Sequence, residues 1–485
     1  MNNFQLANKH LEKLEDEMID FLRELVSINS KEDSPEERKP FGEGVDRAFR
    51  YVLKKGEEAG FTAKNIDGYG GHLEMGNICG AEKKEEENTP QKIMGILCHL
   101  DVVPTGEGWT FDPFKAEIHD GKLYGRGAID DKGPTAAAFF AMKAIKEAGL
   151  ESNMKNRVRL ILGLDEETNW KGMDYYLSCE ERPDFGFTPD GSFPLINSEK
   201  GIFVFKLVKK LEKTRSSGLV LKSLKGGDAP NMVADWARAV LSSPDKDDYN
   251  PIMSEGEDFK KEKNCNIKIK RVGKSLEIKI KGKSAHGSLP EKGENALCLL
   301  MDFLGRLPVQ GEETGDFIRF FNQYIGYNTK GEDLKLNFNK NGSEETSLCV
   351  GQAHIGQTEA MVTINLRTPV DVEEHKVYEI LEPVLAKENI GIIKEKFQPP
   401  LYVEKDSPLV QTLLSAYRTV TGDKKGEPLA IGGGTYARAL DNFVAFGAVF
   451  PHEEEIAHRA DEYIDLQSLK TAAKIYCRAI IELCM

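Results

Sequence analysis

The feature that most constrains this chain is the stretch from Lys92 to Asp101, KIMGILCHLD. Five of the six residues 93–98 are apolar and the sixth is Gly95, which is typical of a strand buried on both faces of a sheet. His99 and Asp101 follow at its carboxyl end, and alternate residues of a strand share a face. Ligands of open α/β sheets bind outside the carboxyl ends of the strands. The stretch therefore predicts a strand that carries two metal-competent side chains to a functional edge.

The remaining pattern predicts an α/β fold in more than one domain, because 485 residues exceed what one hydrophobic core usually supports. A second apolar run, at residues 157–164, precedes Asp165-Glu166-Glu167, and strands that alternate with helices indicate a layered α/β sheet. Helical patterns lie at residues 11–26, 42–60, 135–148, 173–177, 295–307 and 372–387. Residues 71–80 predict a short strand, and residues 81–91 predict a polar loop.

The pattern changes near residue 199, where alternating strands with polar inserts begin. This change predicts an α+β insertion of ferredoxin-like type. We therefore expect a catalytic α/β sandwich domain formed by residues 1–198 and 404–485, interrupted by a lid domain at residues 199–403.

Composition excludes several classes of protein. The 79 acidic and 65 basic residues give a net charge of −14, which argues against broad binding to nucleic acid. No run of about 18 apolar residues is present, so no membrane span is expected. The eight cysteines form no CxxC pair, which fits a reducing compartment, and the charged N-terminus lacks the apolar core of a signal peptide. We therefore expect a cytoplasmic protein.

Acidic residues and histidines recur beside glycines or prolines at the predicted strand ends. They are His99, Asp101, Asp130, Glu166, Glu167, Asp190 and His458. Two imidazoles with several carboxylates suit zinc, manganese or cobalt better than calcium. A pair of metal ions needs a shared carboxylate and a water between them, and a further carboxylate that binds no metal can act as general base. The adjacent Glu166 and Glu167 suit this division, because neighbouring side chains cannot both point the same way.

Each of these residues also has an ordinary structural interpretation. Asp130-Asp131 could cap a helix, residues 165–167 could begin a solvated helix, Asp190-Gly191 could form a plain turn, and His458 could lie at the surface. Any one of these interpretations is reasonable alone. Their coincidence within one α/β chain favours a metal site.

Seven motifs carry a family resemblance. They are HLDVVPTGEGW, LYGRGAIDDKGP, DEETNW, FTPDGSFP, AHGSLPEKGENA, GGGTYARAL and HRADEYI, in this order. Together they resemble the di-metal aminoacylase/carboxypeptidase family, and within it the PepV group of bacterial dipeptidases, from about Leu11 to Met485. The resemblance implies a zinc-peptidase-like mixed sheet, a two-lobed lid and two divalent metal ions. Zn²⁺ is expected first, with Mn²⁺ or Co²⁺ as alternatives.

The resemblance also implies the metal ligands, which would be His99, Asp130, Glu167, Asp190 and His458. Asp130 would be shared between the two ions, and Asp190 would bind beside His99.

Three further implications concern the same motifs. Asp101 would orient the ring of His99 and so fix its tautomer. The peptide between Asp130 and Asp131 would be cis, which is costly for a residue other than proline. Glu166 would be the general base that activates the water between the metal ions.

In the insertion, the resemblance assigns His286 to the developing oxyanion and Arg367 to the free carboxylate of the substrate. Asn231, Gly433 and Thr435 would be further substrate contacts. From the residues alone, His286 could be a solvated loop histidine and Arg367 could form a surface salt bridge.

These roles predict a metal-dependent dipeptidase that hydrolyses short peptides with free amino and carboxyl ends. An N-acyl-amino-acid deacylase or a carboxypeptidase on the same site is the alternative enzyme, and an inactive metal-binding scaffold protein is the alternative from another class. Because the insertion is about 200 residues long, as in the PepV group, a second lobe would replace a partner subunit. We therefore expect a monomer that closes on its substrate and that has neither a nucleic-acid nor a membrane partner.

Overall fold

The structure, a computed structural model, describes residues 2–76, 91–212, 218–245, 249–309, 311–340 and 344–485. The chain divides into two compact units. The first comprises Met1–Ser198 and Leu401–Met485, and the second comprises Glu199–Pro400. The end of the predicted strand at residues 71–80 and nearly all of the predicted loop at residues 81–91 lie outside the described residues.

In the described part of the chain, the helices are α1 (Asn3–Lys13), α2 (Glu15–Val26), α3 (Glu43–Glu58), α4 (Lys132–Glu147), α5 (Lys171–Cys179), α6 (Tyr249–Lys263), α7 (Ala296–Gly305), α8 (Glu312–Tyr324), α9 (Glu374–Lys387), α10 (Pro408–Thr421) and α11 (Leu466–Cys484). Short 3₁₀ helices lie at Glu151–Asn153, Pro290–Lys292 and Tyr436–Ala439. Among the described helices, none has the combination of length and apolar character that a membrane span requires.

The strands are β1 (Thr62–Ile66), β2 (Gly70–Met75), β3 (Ile93–His99), β4 (Glu117–His119), β5 (Lys122–Tyr124), β6 (Arg157–Gly163), β7 (Phe185–Thr188), β8 (Gly191–Ser192), β9 (Ile196–Glu199), β10 (Gly201–Lys210), β11 (Val220–Gly226), β12 (Trp236–Ser242), β13 (Asn266–Val272), β14 (Ser275–Lys281), β15 (Asn339–Lys340), β16 (Glu344–Glu345), β17 (Ser347–Ile355), β18 (Glu359–Thr368), β19 (Gly391–Gln398), β20 (Leu401–Tyr402), β21 (Leu429–Ile431), β22 (Phe443–Ala445), β23 (Ala448–Val449) and β24 (Tyr463–Asp465).

The first unit is built on a mixed sheet of order β1-β2-β6-β3-β7-β22-β9-β20, with β21 beside β9. Strand β3 lies between β6 and β7 and runs parallel to both. All seven of its residues are buried, as expected for a strand whose two faces are both covered. Helices α4 and α11 pack against each other, and α1 and α2 pack against α4. The predicted α/β class and the predicted central strand are therefore confirmed.

The single helix predicted at residues 11–26 is wrong, because the chain forms α1 and α2 there instead. Leu14 separates them with φ −94° and ψ 1°, outside the α-helical well. Helix α1 begins earlier than predicted, where the Asn2 side chain accepts the Gln5 N–H, a capping contact. The apolar spacing conceals the break, since Leu11, Leu14 and Met18 are all buried.

The second unit contains an eight-stranded antiparallel sheet of order β13-β14-β12-β11-β17-β18-β10-β19, and a short antiparallel pair, β15-β16. Helix α6 packs against β13, and α7 packs against β12, β14 and β17. Helix α8 packs against α7 and β10, and α9 packs against β19. The predicted α+β character of the insertion is confirmed.

Strand β2 carries a buried histidine outside the metal-competent set. His72 is 4% exposed, and its Nδ1 forms a hydrogen bond of 2.8 Å with the Tyr176 hydroxyl. Burial, followed by the charges of Arg159, Lys64 and Arg157, lowers the pKa of His72 to about 3. The folded chain therefore holds this imidazole neutral over the whole range in which a free histidine titrates.

We expect the variant His72→Gln to lose less stability in mild acid than the natural chain. Below pH 6.5 the unfolded chain binds a proton at His72, whereas the folded chain does not until about pH 3. The free energy of unfolding therefore falls as the pH drops through this window, by at most about 1.4 kcal/mol per pH unit. Urea unfolding at pH 7 and pH 5 should show a loss that is about 1–2 kcal/mol smaller in the variant. An equal loss of stability in both proteins would contradict the lowered pKa of His72.

Candidate metal centre

The topology of the first unit brings most of the predicted site residues to one edge of the sheet. His99 ends β3 and Asp101 follows it, Glu166 and Glu167 follow β6, and Asp190 follows β7. Strands β6, β3 and β7 are parallel neighbours, so their carboxyl ends meet at the same edge. His99 is fully buried. The separate motifs thus converge because each one ends a strand of the same sheet.

Asp130 lies between the two predicted ligand histidines. Its Oδ1 is 2.9 Å from His99 Nε2, and its Oδ2 is 2.9 Å from His458 Nε2. Glu167 Oε1 is 3.0 Å from the same nitrogen of His458. Hydrogen bonds to Asp130 and then Glu167 raise the pKa of His458 to about 11. The two carboxylates therefore strongly favour positive charge at this position.

The side chains form two groups whose possible ligand atoms all lie within 4.8 Å of one another. One group is His99, Glu166 and Asp190, and the other is His99, Asp130 and Glu167. Burial, and then neighbouring Asp130, raises the pKa of Asp190 to about 7, and burial raises the pKa of Glu166 well above its ordinary value. A cation offsets such a concentration of buried acidic groups. The mixed imidazole and carboxylate donors fit a divalent metal such as zinc or manganese.

Asp101 makes a second contact that its motif does not indicate. Its carboxylate accepts the backbone N–H groups of Glu166 at 3.1 Å and Glu167 at 3.0 Å. Its backbone carbonyl lies 3.1 Å from His99 Nδ1, and its Oδ1 lies 3.4 Å from that nitrogen. Asp101 is therefore placed to orient the His99 ring and also to hold the turn that carries both glutamates.

The peptide bond between Asp130 and Asp131 is cis, which confirms the expectation from the resemblance. Asp131 stands at the N-cap position of α4, but its side chain makes no capping hydrogen bond. Its Oδ2 instead accepts the backbone N–H of His99 at 3.1 Å. The helix-capping interpretation of this pair is therefore wrong, because the second carboxylate supports the end of β3.

Gly433 and Thr435 lie in the turn before the 3₁₀ helix that begins at Tyr436. The Gly433 carbonyl accepts from Arg438 Nη2 at 2.8 Å, and the Thr435 hydroxyl accepts the Ala437 N–H at 3.3 Å. The turn leads into Tyr436, whose fully buried ring lies 6.2 Å from that of His99. The structure thus places Gly433 and Thr435 close in sequence to Tyr436, whose ring packs against the predicted ligand His99.

The insertion residues His286, Asn231 and Arg367 are neighbours within the second unit. Gly287 donates its N–H to the Asn231 carbonyl at 2.7 Å, and Arg367 Nε donates to Asn365 Oδ1 at 3.0 Å. Burial, followed by the charge of Arg367, lowers the pKa of His286. A neutral imidazole thus lies in the electrostatic range of a buried guanidinium.

Two candidate functional residues were not predicted from the sequence, although both lie inside the motifs quoted above. Arg126 in LYGRGAIDDKGP and Glu462 in HRADEYI form an ion pair in which both side chains are 1% exposed. Their burial is the informative property, since charged side chains are almost never fully buried unless paired. The sequence shows only two charged residues 336 positions apart.

Comparison with known proteins identifies relatives over nearly the whole chain. Residues 95–482 match the model of peptidase family M20/M25/M40. The chain is 37% identical to "Putative dipeptidase YtjP" of Bacillus subtilis (strain 168) over 473 residues, which cover 96% of this chain and 97% of that protein. It is 35% identical to a relative with the same designation from Staphylococcus epidermidis, over 97% of this chain and 98% of the relative.

Solved structures share the fold at much lower sequence identity. Human carnosine dipeptidase 1 aligns with a TM-score of 0.57 at 17% identity, over 100% of this chain and 99% of that one. The dipeptidase Dug1p of Saccharomyces cerevisiae aligns with a TM-score of 0.57 at 13% identity, over 99% of each chain. At such identities the similarity concerns the fold alone.

Proposed function

Because this chain belongs to peptidase family M20/M25/M40 it is a metallopeptidase, and we propose that it is a dipeptidase acting on dipeptides with free amino and carboxyl ends. One observation carries the proposal: the two carboxylate oxygens of Asp130 lie 2.9 Å from His99 Nε2 and from His458 Nε2, so a single carboxylate faces both histidines, as sharing between two metal ions would need. The relatives that carry the name "Putative dipeptidase" match over nearly their full length and support the choice of substrate class.

Two divalent ions would be held by His99, Asp130, Glu167, Asp190 and His458, with Asp130 common to both. Imidazole and carboxylate donors favour Zn²⁺, with Mn²⁺ or Co²⁺ as alternatives. Such ions, when bound, lower the pKa of water towards neutrality and polarise the scissile carbonyl.

Glu166 would take the proton from the attacking water and return it to the leaving amine. Burial raises the pKa of its carboxyl well above its ordinary value, and divalent ions bound beside it would counter this shift and keep the carboxylate ionised, as a general base requires. Its backbone is held on two sides: the N–H donates to Asp101 at 3.1 Å, and the carbonyl accepts from Trp170 Nε1 at 2.7 Å. A proton carrier that is fixed in this way loses little energy to reorganisation.

Recognition of the peptide would fall to His286, Arg367, Asn231, Gly433 and Thr435. The lowered pKa of His286 favours the neutral imidazole, which can donate one N–H to an oxyanion. Arg367 has a planar fork of donors, which suits a carboxylate. These roles support a short substrate with a free carboxyl end.

We also propose that the chain acts as a monomer in the cytoplasm. The insertion forms a compact unit, Glu199–Pro400, and the resemblance to the PepV group implies that a second lobe of it replaces a partner subunit. The described cysteines are all free, which suits a reducing compartment.

We expect the metal-loaded protein to cleave an unblocked dipeptide such as Leu-Gly faster than its N-acetylated form. Release of free amino acids can be followed by chromatography, with protein stripped by a chelator as the inactive control and re-addition of Zn²⁺ or Mn²⁺ as the recovery. Faster cleavage of the acetylated form would identify an N-acyl-amino-acid deacylase instead. Cleavage of neither form by protein that holds metal would favour the inactive metal-binding scaffold.

A further inference from the structure

Glu462 is bonded to the backbone of the segment that carries Asp130. Its Oε1 accepts the N–H groups of Ile129 at 3.1 Å and Asp130 at 3.3 Å. Its own backbone carbonyl accepts the N–H of Gly125 at 2.9 Å. One residue that is 0% exposed thus fixes this segment at both of its ends.

Arg126 is bonded to two other loops of the first unit. Its Nη1 donates to Glu462 Oε2 at 2.5 Å. Its Nη2 donates to the carbonyl of His458 at 3.3 Å and to that of Thr105 at 3.1 Å. The guanidinium also lies 5.2 Å from the centre of the Trp109 ring. The pair therefore connects the loop after β3, the segment of Asp130 and the loop of His458.

The backbone of His458 needs this support. Its φ is 67°, in the left-handed region that residues other than glycine seldom adopt. The carbonyl of the same residue is the one that accepts from Arg126. A planar guanidinium with donors in fixed directions specifies position more sharply than an apolar contact does.

Stability alone is a weak explanation for such a pair. The cost of removing two charges from water can exceed the attraction between them, and apolar residues of similar volume often stabilise as well. What apolar residues cannot supply is the set of directed hydrogen bonds to Asp130 and His458.

We propose that Arg126 and Glu462 are a positioning pair that holds Asp130 and His458 at the spacing required to bind metal. This inference rests on the proposed function, because it presumes that those two residues are ligands. The pair is not itself proposed to bind metal, because its polar atoms bond to each other, to the Ile129 N–H and to the His458 carbonyl. Residues that orient metal ligands typically alter metal affinity by about 10–100-fold when they are replaced.

The first unit offers a matched control in Glu74. It pairs with Arg159 Nε at 2.6 Å and with Arg157 Nη1 at 3.0 Å, and its side chain is 5% exposed. It is therefore also a buried glutamate bonded to arginine. Arg157 begins β6, whereas the glutamates of the metal centre follow the other end of that strand.

The test measures Co²⁺ and Zn²⁺ affinity by calorimetry, and the visible spectrum of bound Co²⁺, for the natural chain and for Glu462→Gln, Glu462→Ala and Glu74→Gln. We expect Glu462→Ala to lower metal affinity about 10–100-fold and to shift the Co²⁺ absorption bands. Glu462→Gln keeps an oxygen that can accept from Ile129 and Asp130, so it should recover part of the affinity. Glu74→Gln should stay within about twofold of the natural chain, as distant sites usually do.

Circular dichroism distinguishes this result from a general loss of structure. Replacement of either glutamate removes the negatively charged partner of a buried arginine, so Glu74→Gln controls for that cost. If Glu462→Ala does not fold, the comparison of Glu462→Gln with Glu74→Gln decides. Equal affinity and an unchanged Co²⁺ spectrum in the folded Glu462 variants would overturn the positioning role alone. Failure of the natural chain to bind either ion would overturn the proposed function as well.

Discussion

Replacement of Glu166 by Gln should lower kcat for dipeptide hydrolysis by about 10²–10⁴-fold, the usual contribution of a general base. The amide keeps the size of the side chain but cannot accept the proton of the attacking water. The hydrogen bonds of the Glu166 backbone to Asp101 and Trp170 do not depend on the side chain, so the turn should remain in place. Metal content, measured by elemental analysis, should stay unchanged.

Two further variants sharpen this experiment. Glu166→Asp retains the carboxylate but shortens its reach, so it should be more active than Glu166→Gln. Glu107→Gln changes an exposed glutamate in the loop after β3 and should behave as the natural chain. Full activity in Glu166→Gln would contradict the role of base. A loss of bound metal together with activity would instead identify Glu166 as a ligand, a role that its distance from His99 and Asp190 also allows.

Asp130→Asn should reduce both metal binding and hydrolysis. Asn has nearly the same shape but has no charge, and only one of its two terminal atoms can bind a cation. The residue contacts both imidazoles, so the change should weaken both halves of the centre. A loss of several kcal/mol of metal-derived stabilisation corresponds to a fall in kcat/KM of at least about 10³-fold.

The measurement pairs elemental analysis with kcat/KM, and Asp441→Asn at an exposed position serves as the control. Loss of one ion with retention of the other would show that Asp130 serves one site only. Retention of all bound metal at full activity would contradict its role as the shared carboxylate.

Features set by residues close together in sequence could be predicted from the sequence. Strand β3 has five apolar residues and one glycine before His99, so its burial on both faces was predictable. The acidic residues that follow the neighbouring strands were found by the same reasoning. The break at Leu14 was not predictable, because the buried positions continue through it. Helix α6 was not predicted either, because most of its residues are polar and few are buried.

The other contacts that were not predicted join residues that lie far apart in sequence. The bond between Arg126 and Glu462 depends on two loops that meet only in the folded unit. The same holds for the contact of Asp101 with the turn of Glu166, because the HxD motif indicates only the neighbouring histidine.

The order of the strands has a consequence for synthesis of this protein on the ribosome. Strand β22 (Phe443–Ala445) lies between β7 and β9, yet about 250 residues separate it in sequence from either of them. Until it emerges, the nascent chain presents β7 with one unpaired edge, which is a template for aggregation. The intervening segment forms a separate compact unit and can fold meanwhile. Translation of the last 85 residues, 401–485, therefore completes both the sheet and the ligand set, and truncation there should leave a product that aggregates.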